Sequence, residues 1–119
     1  WGELIKMNLN TGKIVWRTPL GEYEELSNIG VPLTGTENFG GATVTGGDLV
    51  FASGTTDNKI RAFNSKNGKE LWQYKLPFRG STSPTVFEHN NAQYLIITAT
   101  GGGKLKSKLG HSILAFKLD

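Results

Sequence analysis

An internal repeat constrains the fold more than any other feature of this chain. Lys6-Met7-Asn8-Leu9-Asn10-Thr11-Gly12-Lys13-Ile14-Val15-Trp16 and Ala62-Phe63-Asn64-Ser65-Lys66-Asn67-Gly68-Lys69-Glu70-Leu71-Trp72 carry Asn, Gly, Lys and Trp at matched places. A third, partial copy runs from Ser112 to Asp119. Recurrence at such a spacing marks one structural unit used repeatedly. The unit reads as a hairpin. A strand ends at Asn8 or Asn64, whose side chain can cap a turn by bonding backbone two residues on. Gly12 or Gly68 supplies the positive φ that other residues resist. The return strand then carries Trp16 or Trp72, a large ring available to pack between neighbouring units.

The other strands follow from apolar runs and alternation bounded by turn residues. They are predicted at Gly41 to Thr45, Leu49 to Ala52, Lys59 to Asn64, Glu70 to Leu76, Ser83 to Glu88, Gln93 to Thr100 and Ile113 to Leu118. The 16 glycines fall between apolar runs, and no window predicts an amphipathic helix of ten or more residues. Four-stranded antiparallel units repeated in this way build a β-propeller. The chain divides into residues 1–18 (the end of one blade), 19–40 (a connection), 41–76 (a full blade) and 80–119 (a blade lacking its outer strand). The connection is long, and is either a functional loop over one face or a disordered segment. The chain opens at Trp1-Gly2 within a predicted strand, so the expectation is a piece of a longer protein. In a closed propeller the missing outer strand is often supplied by the N-terminal region.

Composition removes several classes. There is no cysteine, hence no disulfide or thiolate metal site. No stretch approaches the roughly 20 apolar residues of a membrane span. The net charge of +3 is scattered and predicts no nucleic-acid partner. Its densest cluster, Lys104, Lys106 and Lys108, reads as a flexible solvated loop beside Gly101, Gly102 and Gly103. His89 lies in a polar hairpin and reads as solvated, while His111 begins a strand near the glycine loop. Two histidines without a carboxylate cluster make no ligand set. No nucleophile triad, phosphate loop or zinc motif is present.

The repeat resembles the tryptophan-docking motif of the pyrroloquinoline quinone (PQQ) dehydrogenases, Ala-x-Asp/Asn-x-x-Thr/Ser-Gly-x-x-x-Trp. Lys6 stands in place of Ala and Asn67 in place of Thr/Ser, departures expected to weaken blade contacts locally. The segments Phe39 to Phe51 and Gly54 to Phe63 resemble further family blocks. Leu76-Pro77, Ser83-Pro84, Gln93-Tyr94 and Gly101 to Gly103 keep the family's order to the end. The resemblance covers essentially the whole chain and is greatest to the C-terminal part of membrane-bound sugar-oxidising members. It implies an all-β fold, about two blades of an eight-bladed quinoprotein propeller.

It also implies a chemistry. Such enzymes oxidise an alcohol or a glucose-type aldose by hydride transfer to PQQ, with a bound Ca²⁺ polarising the quinone and a carboxylate taking the hydroxyl proton. Electrons pass to ubiquinone or a cytochrome, on the periplasmic side, with attachment to the inner membrane through an N-terminal region outside this chain. By the resemblance, Phe39, Gly40 and Gly41 lie where an aromatic ring meets the flat quinone. Gly101 and Gly102 form a turn whose backbone approaches the cofactor edge, although the alcohol-oxidising branch has a tryptophan there. Asp57 occupies an acidic position near the quinone, with a proton-network role. The Ca²⁺ ligands and the catalytic base are expected outside the chain, so that the piece alone has no turnover.

Each of these residues has a plainer reading. Phe39 covers a blade edge, the glycines only turn the chain, and Asp57 caps a turn before Asn58. Arg61 makes an inter-strand ion pair, and Trp16 and Trp72 are structural. The competing function is a non-catalytic scaffold propeller with the same repeats, for which the Phe39 to Asp57 segment and the late glycine run have no use. In isolation the exposed strand edges predict self-association.

Overall fold

The computed structural model describes residues 1–119. Nine strands form three antiparallel sheets: β1 (Glu3–Asn8) with β2 (Lys13–Pro19), then β3 (Ala42–Val44), β4 (Leu49–Ala52), β5 (Lys59–Asn64) and β6 (Glu70–Lys75), then β7 (Thr85–His89), β8 (Ala92–Ala99) and β9 (Ser112–Lys117). Strand order within each sheet is sequence order, a meander. The single helix, α1 (Glu24–Ser27), is one short turn.

The two complete repeats are the β1–β2 and β5–β6 hairpins, and they match down to their hydrogen bonds. Asn8 Oδ1 accepts from Asn10 N at 2.9 Å, and Asn64 Oδ1 accepts from Lys66 N at 2.8 Å. Gly12 N donates to Asn8 O at 2.8 Å and Gly68 N to Asn64 O at 2.9 Å, with φ of 68° and 72° at the glycines. Both ladders slip register at one place, between Lys6 and Met7 and between Ala62 and Phe63. Each slip stands opposite the repeat tryptophan, since Lys6 pairs with Trp16 and Ala62 with Trp72.

Trp16 reaches from the first sheet to the second. Its Nε1–H donates to Ser65 O at 2.9 Å, and its ring lies so close to Gly68 that a Cβ there would sit 2.6 Å from a ring carbon. The two departures from the repeat do not loosen this junction. Lys6 Nζ donates to the same Ser65 carbonyl at 2.8 Å, adding a contact that alanine lacks. Asn67 Oδ1 accepts from Lys69 N at 2.9 Å, as Thr11 Oγ1 accepts from Lys13 N at 3.3 Å.

The two middle strands of the central sheet, β4 and β5, are buried on both faces, and strand alternation explains how. Val50, Ala52 and Phe63 face the first sheet and pack with Leu20 and Leu4. Phe51, Ile60 and Ala62 face the third and pack with Leu76, Leu95, Ile97 and Ala99. Trp72 and Tyr74 each meet the Phe116 ring in a T-shaped arrangement, with centroids 5.2 and 5.0 Å away. Residues 20–41 are an ordered connection held to the first and second sheets. Leu20 N donates to Gly2 O and Thr36 N to Leu20 O, each at 2.9 Å, and Thr36 is fully buried.

Candidate functional site

Three segments meet at one end of the second and third sheets. Residues 38–41 lead into β3, residues 76–84 join β6 to β7, and residues 100–111 join β8 to β9. Hydrogen bonds clamp them together. Asn38 Nδ2 donates to Ser53 O at 3.2 Å, and Asn38 Oδ1 accepts from Gly40 N at 2.8 Å. The buried Ser53 hydroxyl is within bonding distance of both Gly80 O, at 3.0 Å, and Thr82 O, at 3.1 Å. Gly101 N donates to Arg79 O at 3.0 Å, which ties the glycine loop to the β6–β7 connection. The lysine-bearing loop is thus pinned at its base, and Gly110 N closes it by donating to Thr100 O at 2.9 Å.

Between these segments lies a cavity of about 490 Å³. Phe39, Gly40 and Gly41 line one side, Arg79, Ser81 and Ser83 another, and Gly102 to Leu105 the third. Gly40 is fixed here by packing, because a Cβ would stand 2.2 Å from Ser53 O. The half-exposed Phe39 ring carries the Lys104 ammonium at 5.5 Å from its centroid, a cation–π arrangement. No carboxylate lines the cavity.

Of the residues singled out in the sequence, Phe39, Gly40, Gly41 and Gly102 converge on this cavity. Gly101 stands just behind it, where a Cβ would strike Lys108 O at 1.8 Å. Asp57 lies elsewhere, in a buried network. Its carboxylate accepts from Thr55 Oγ1 at 2.5 Å, Glu22 N at 2.9 Å, Lys59 N at 3.1 Å and both terminal nitrogens of Arg61. Burial opposes its charge, but the Arg61 guanidinium and the Thr55 hydroxyl outweigh that and hold the carboxyl below its ordinary range. Arg61 also pairs with Glu70 at 3.3 Å. His89 and His111 are exposed and line neither the cavity nor any group of metal-ligating residues.

Sequence reasoning missed Arg79. It is 5% exposed, its Nε–H donates to Thr55 O at 3.2 Å, and its Nη1 is buried without a hydrogen-bond partner. A lone arginine between Phe78 and Gly80 in a connection reads as solvated, and its burial arises from contacts distant in sequence. Ser81, Ser83 and Lys104 share that difficulty.

The comparisons agree with this architecture. The PQQ family profile, described as the glucose/ethanol/alcohol dehydrogenase beta-propeller domain, matches residues 1–95. The chain is similar to quinoprotein glucose dehydrogenase of Escherichia coli (strain K12), 34% identical over 99% of this chain and 16% of that protein. It is also similar to the glycerol dehydrogenase large subunit of Gluconobacter thailandicus, 33% identical over 99% of this chain and 17% of that protein. Among solved structures, a europium-containing methanol dehydrogenase superposes with a TM-score of 0.68 at 27% identity, over 87% of this chain and 16% of that one. Quinohemoprotein alcohol dehydrogenase from Comamonas testosteroni superposes at 0.72 over 97% of this chain and 16% of that one, where 16% identity speaks for the fold alone. The chain therefore spans about one sixth of the length of the curated relatives it matches. By the profile match and the identity to these relatives, the chain is part of a β-propeller and belongs to the PQQ-dependent quinoprotein dehydrogenase family.

Proposed function

We propose that this chain forms part of the cofactor end of a PQQ-dependent dehydrogenase that oxidises a sugar of the glucose type or an alcohol. Its sheets are consecutive blades, made by residues 1–18, 41–76 and 80–119. The observation that carries the reading is the cavity where Phe39, Gly40, Gly41 and Gly102 converge. A family resemblance pointed to these residues one by one, from positions up to 63 apart in the chain, and they line a single space.

The residues present fit PQQ, a flat, aromatic, anionic group. The volume is within the range of small-molecule sites. Phe39 offers an exposed ring face, Arg79 a guanidinium with no carboxylate partner and Lys104 a second cation. When bound, PQQ supplies the hydride acceptor, and Ca²⁺, with ligands outside this chain, supplies the Lewis acid. The contribution of this chain is binding and orientation. Ser53, clamping the β6–β7 connection, holds Arg79 and the serines in place. Asp57 fixes Arg61 and the backbone at Glu22 and Lys59, and supports the site through structure. Electrons leave to ubiquinone or a cytochrome, and the enzyme works on the periplasmic side, attached to the inner membrane by an N-terminal region. No helix of this chain is long and apolar enough to cross a membrane.

The test is dye reduction by the full-length parent, reconstituted with PQQ and Ca²⁺, on D-glucose and on a short alcohol. Turnover requiring both additions is the expected result, and the preferred substrate fixes the subtype. Absence of turnover together with absence of PQQ binding favours the scaffold propeller.

A further inference from the structure

The protein has two buried arginines, and they differ. Arg61 is matched by Asp57 and Glu70. Arg79 has no carboxylate partner, and its Nη1 has no hydrogen-bond partner in the chain. A buried, unpaired guanidinium is costly, and such groups in folded proteins ordinarily have a role. Here the group is also held rigidly. Nε is engaged by Thr55 O, the Arg79 carbonyl by Gly101 N, and the next carbonyl, of Gly80, by the Ser53 hydroxyl. The arginine lines the cavity, and Lys104, also without an ion-pair partner, lines the same space. The two cations thus share one space with no acidic residue among its lining.

We propose that Arg79, assisted by Lys104, is a carboxylate anchor for the small molecule that occupies this cavity. The inference rests on reading the cavity as the cofactor end of a quinoprotein dehydrogenase. A guanidinium suits a carboxylate as a charge-assisted partner, and with Nε on Thr55 O and Nη1 enclosed, Nη2 is the nitrogen left to meet it. A phosphate fits less well, because backbone N–H groups ordinarily gather around one. Two amides of the nearby loop are spent inside the protein, Gly101 N on Arg79 O and Gly102 N on Ser107 O. The carboxylate has two possible sources, the tricarboxylate PQQ itself or a polyhydroxy-acid substrate.

The experiment uses the full-length parent with Arg79→Met and Arg79→Lys. PQQ affinity is read by tryptophan fluorescence titration, and the KM for D-gluconate is compared with that for neutral D-glucitol. If the cofactor supplies the carboxylate, R79M weakens PQQ binding about tenfold or more, R79K falls between, and the trimethyl ester of PQQ does not distinguish the three proteins. If the substrate supplies it, PQQ affinity holds and the gluconate-to-glucitol KM ratio rises about tenfold. In either case ligand-free R79M loses the hydrogen bond to Thr55 O but also sheds an unpaired buried charge, so its melt stays close to that of the unmodified protein. The proposal is overturned if R79M leaves both the PQQ affinity and the KM ratio within about twofold of the parent. An unmodified parent that binds no PQQ refutes the quinoprotein reading separately. The anchor is then judged with trimesate, an aromatic tricarboxylate. Stabilisation by trimesate that vanishes in R79M keeps it, and absence of stabilisation ends it.

Discussion

At the scale of single residues, Gly68 does two jobs. Its φ of 72° is the left-handed conformation that costs other residues about 1–2 kcal/mol. It also leaves room for the Trp16 ring, which an added Cβ would meet at 2.6 Å. Gly68→Ala is therefore expected to lower the stability of the parent by more than the backbone cost alone, about 2–4 kcal/mol. Trp16→Phe keeps a ring and loses the hydrogen bond to Ser65 O, and should cost about 1 kcal/mol. Denaturant melts check the pair, and equal losses would show that ring contact at Gly68 is not the larger part. Asp57 carries a second prediction. Breaking its buried pair with Arg61 by Asp57→Asn should cost about 3–5 kcal/mol at neutral pH. Because the folded carboxyl titrates below its unfolded value, its stabilisation is complete above about pH 4 and is lost as pH falls through the folded value. The acid-side slope of stability should be shallower in the asparagine variant, and unchanged slopes would contradict the pairing. Asn8, Gly12 and Trp16 announced their roles because repetition isolates them from the surrounding sequence. Arg79 did not, since nothing local distinguishes an arginine buried by a distant serine and glycine from one in water.

At the scale of elements, the strands were legible because alternation is a local property. Leu49–Ala52 reads as apolar throughout, and the structure gives each face its own neighbour, Val50 and Ala52 toward the first sheet, Phe51 toward the third. What the pattern does not contain is the register slip opposite each tryptophan, which depends on how the partner strand bends. Nor does it contain the path of residues 20–41, whose order comes from Gly2, Leu20 and Thr36 bonding across the chain. Two predictions belong here. Ile60 is fully buried, so Ile60→Ala should cost about 2–5 kcal/mol, whereas Val44→Ala, at a position 68% exposed, should stay within about 0.5 kcal/mol. Comparable losses would mean that the inter-sheet core is not where stability resides. The amides of Leu20 and Thr36 should exchange hydrogen slowly, at rates like those of β5, because both donate within the protein. Exchange as fast as that of the exposed Leu33 amide, which has no acceptor in the protein, would show that the connection does not hold its folded path.

At the scale of the whole molecule, the sheets are held by two interfaces, one through Trp16 and one through the Ile60–Ile97 core, and both interfaces use the central sheet. The outer sheets have no such cover on their far sides. Ile5, Met7, Ile14 and Val15 are exposed along the first and Phe87 and Ile113 along the third, apolar side chains of the kind that mark a surface meant to be covered. An apolar groove of about 400 Å³ also runs between Leu71 and Trp72 on β6 and Tyr94, Phe116 and Leu118 near β9. Within the sheets, β9 has a partner on one side only, as does β1. A propeller answers both needs at once, because the next blade covers each face and edges stay short and protected. The 119-residue chain on its own lacks that cover. Its unpaired edges and apolar faces should therefore find one another, and the isolated chain should self-associate with rising concentration. Light scattering across a concentration series reads this directly. Growth in mean mass with concentration fits an uncovered arc of a ring. A monodisperse monomer at high concentration would mean that these faces are not sticky, and that neighbouring blades add little beyond what the three sheets already supply to one another.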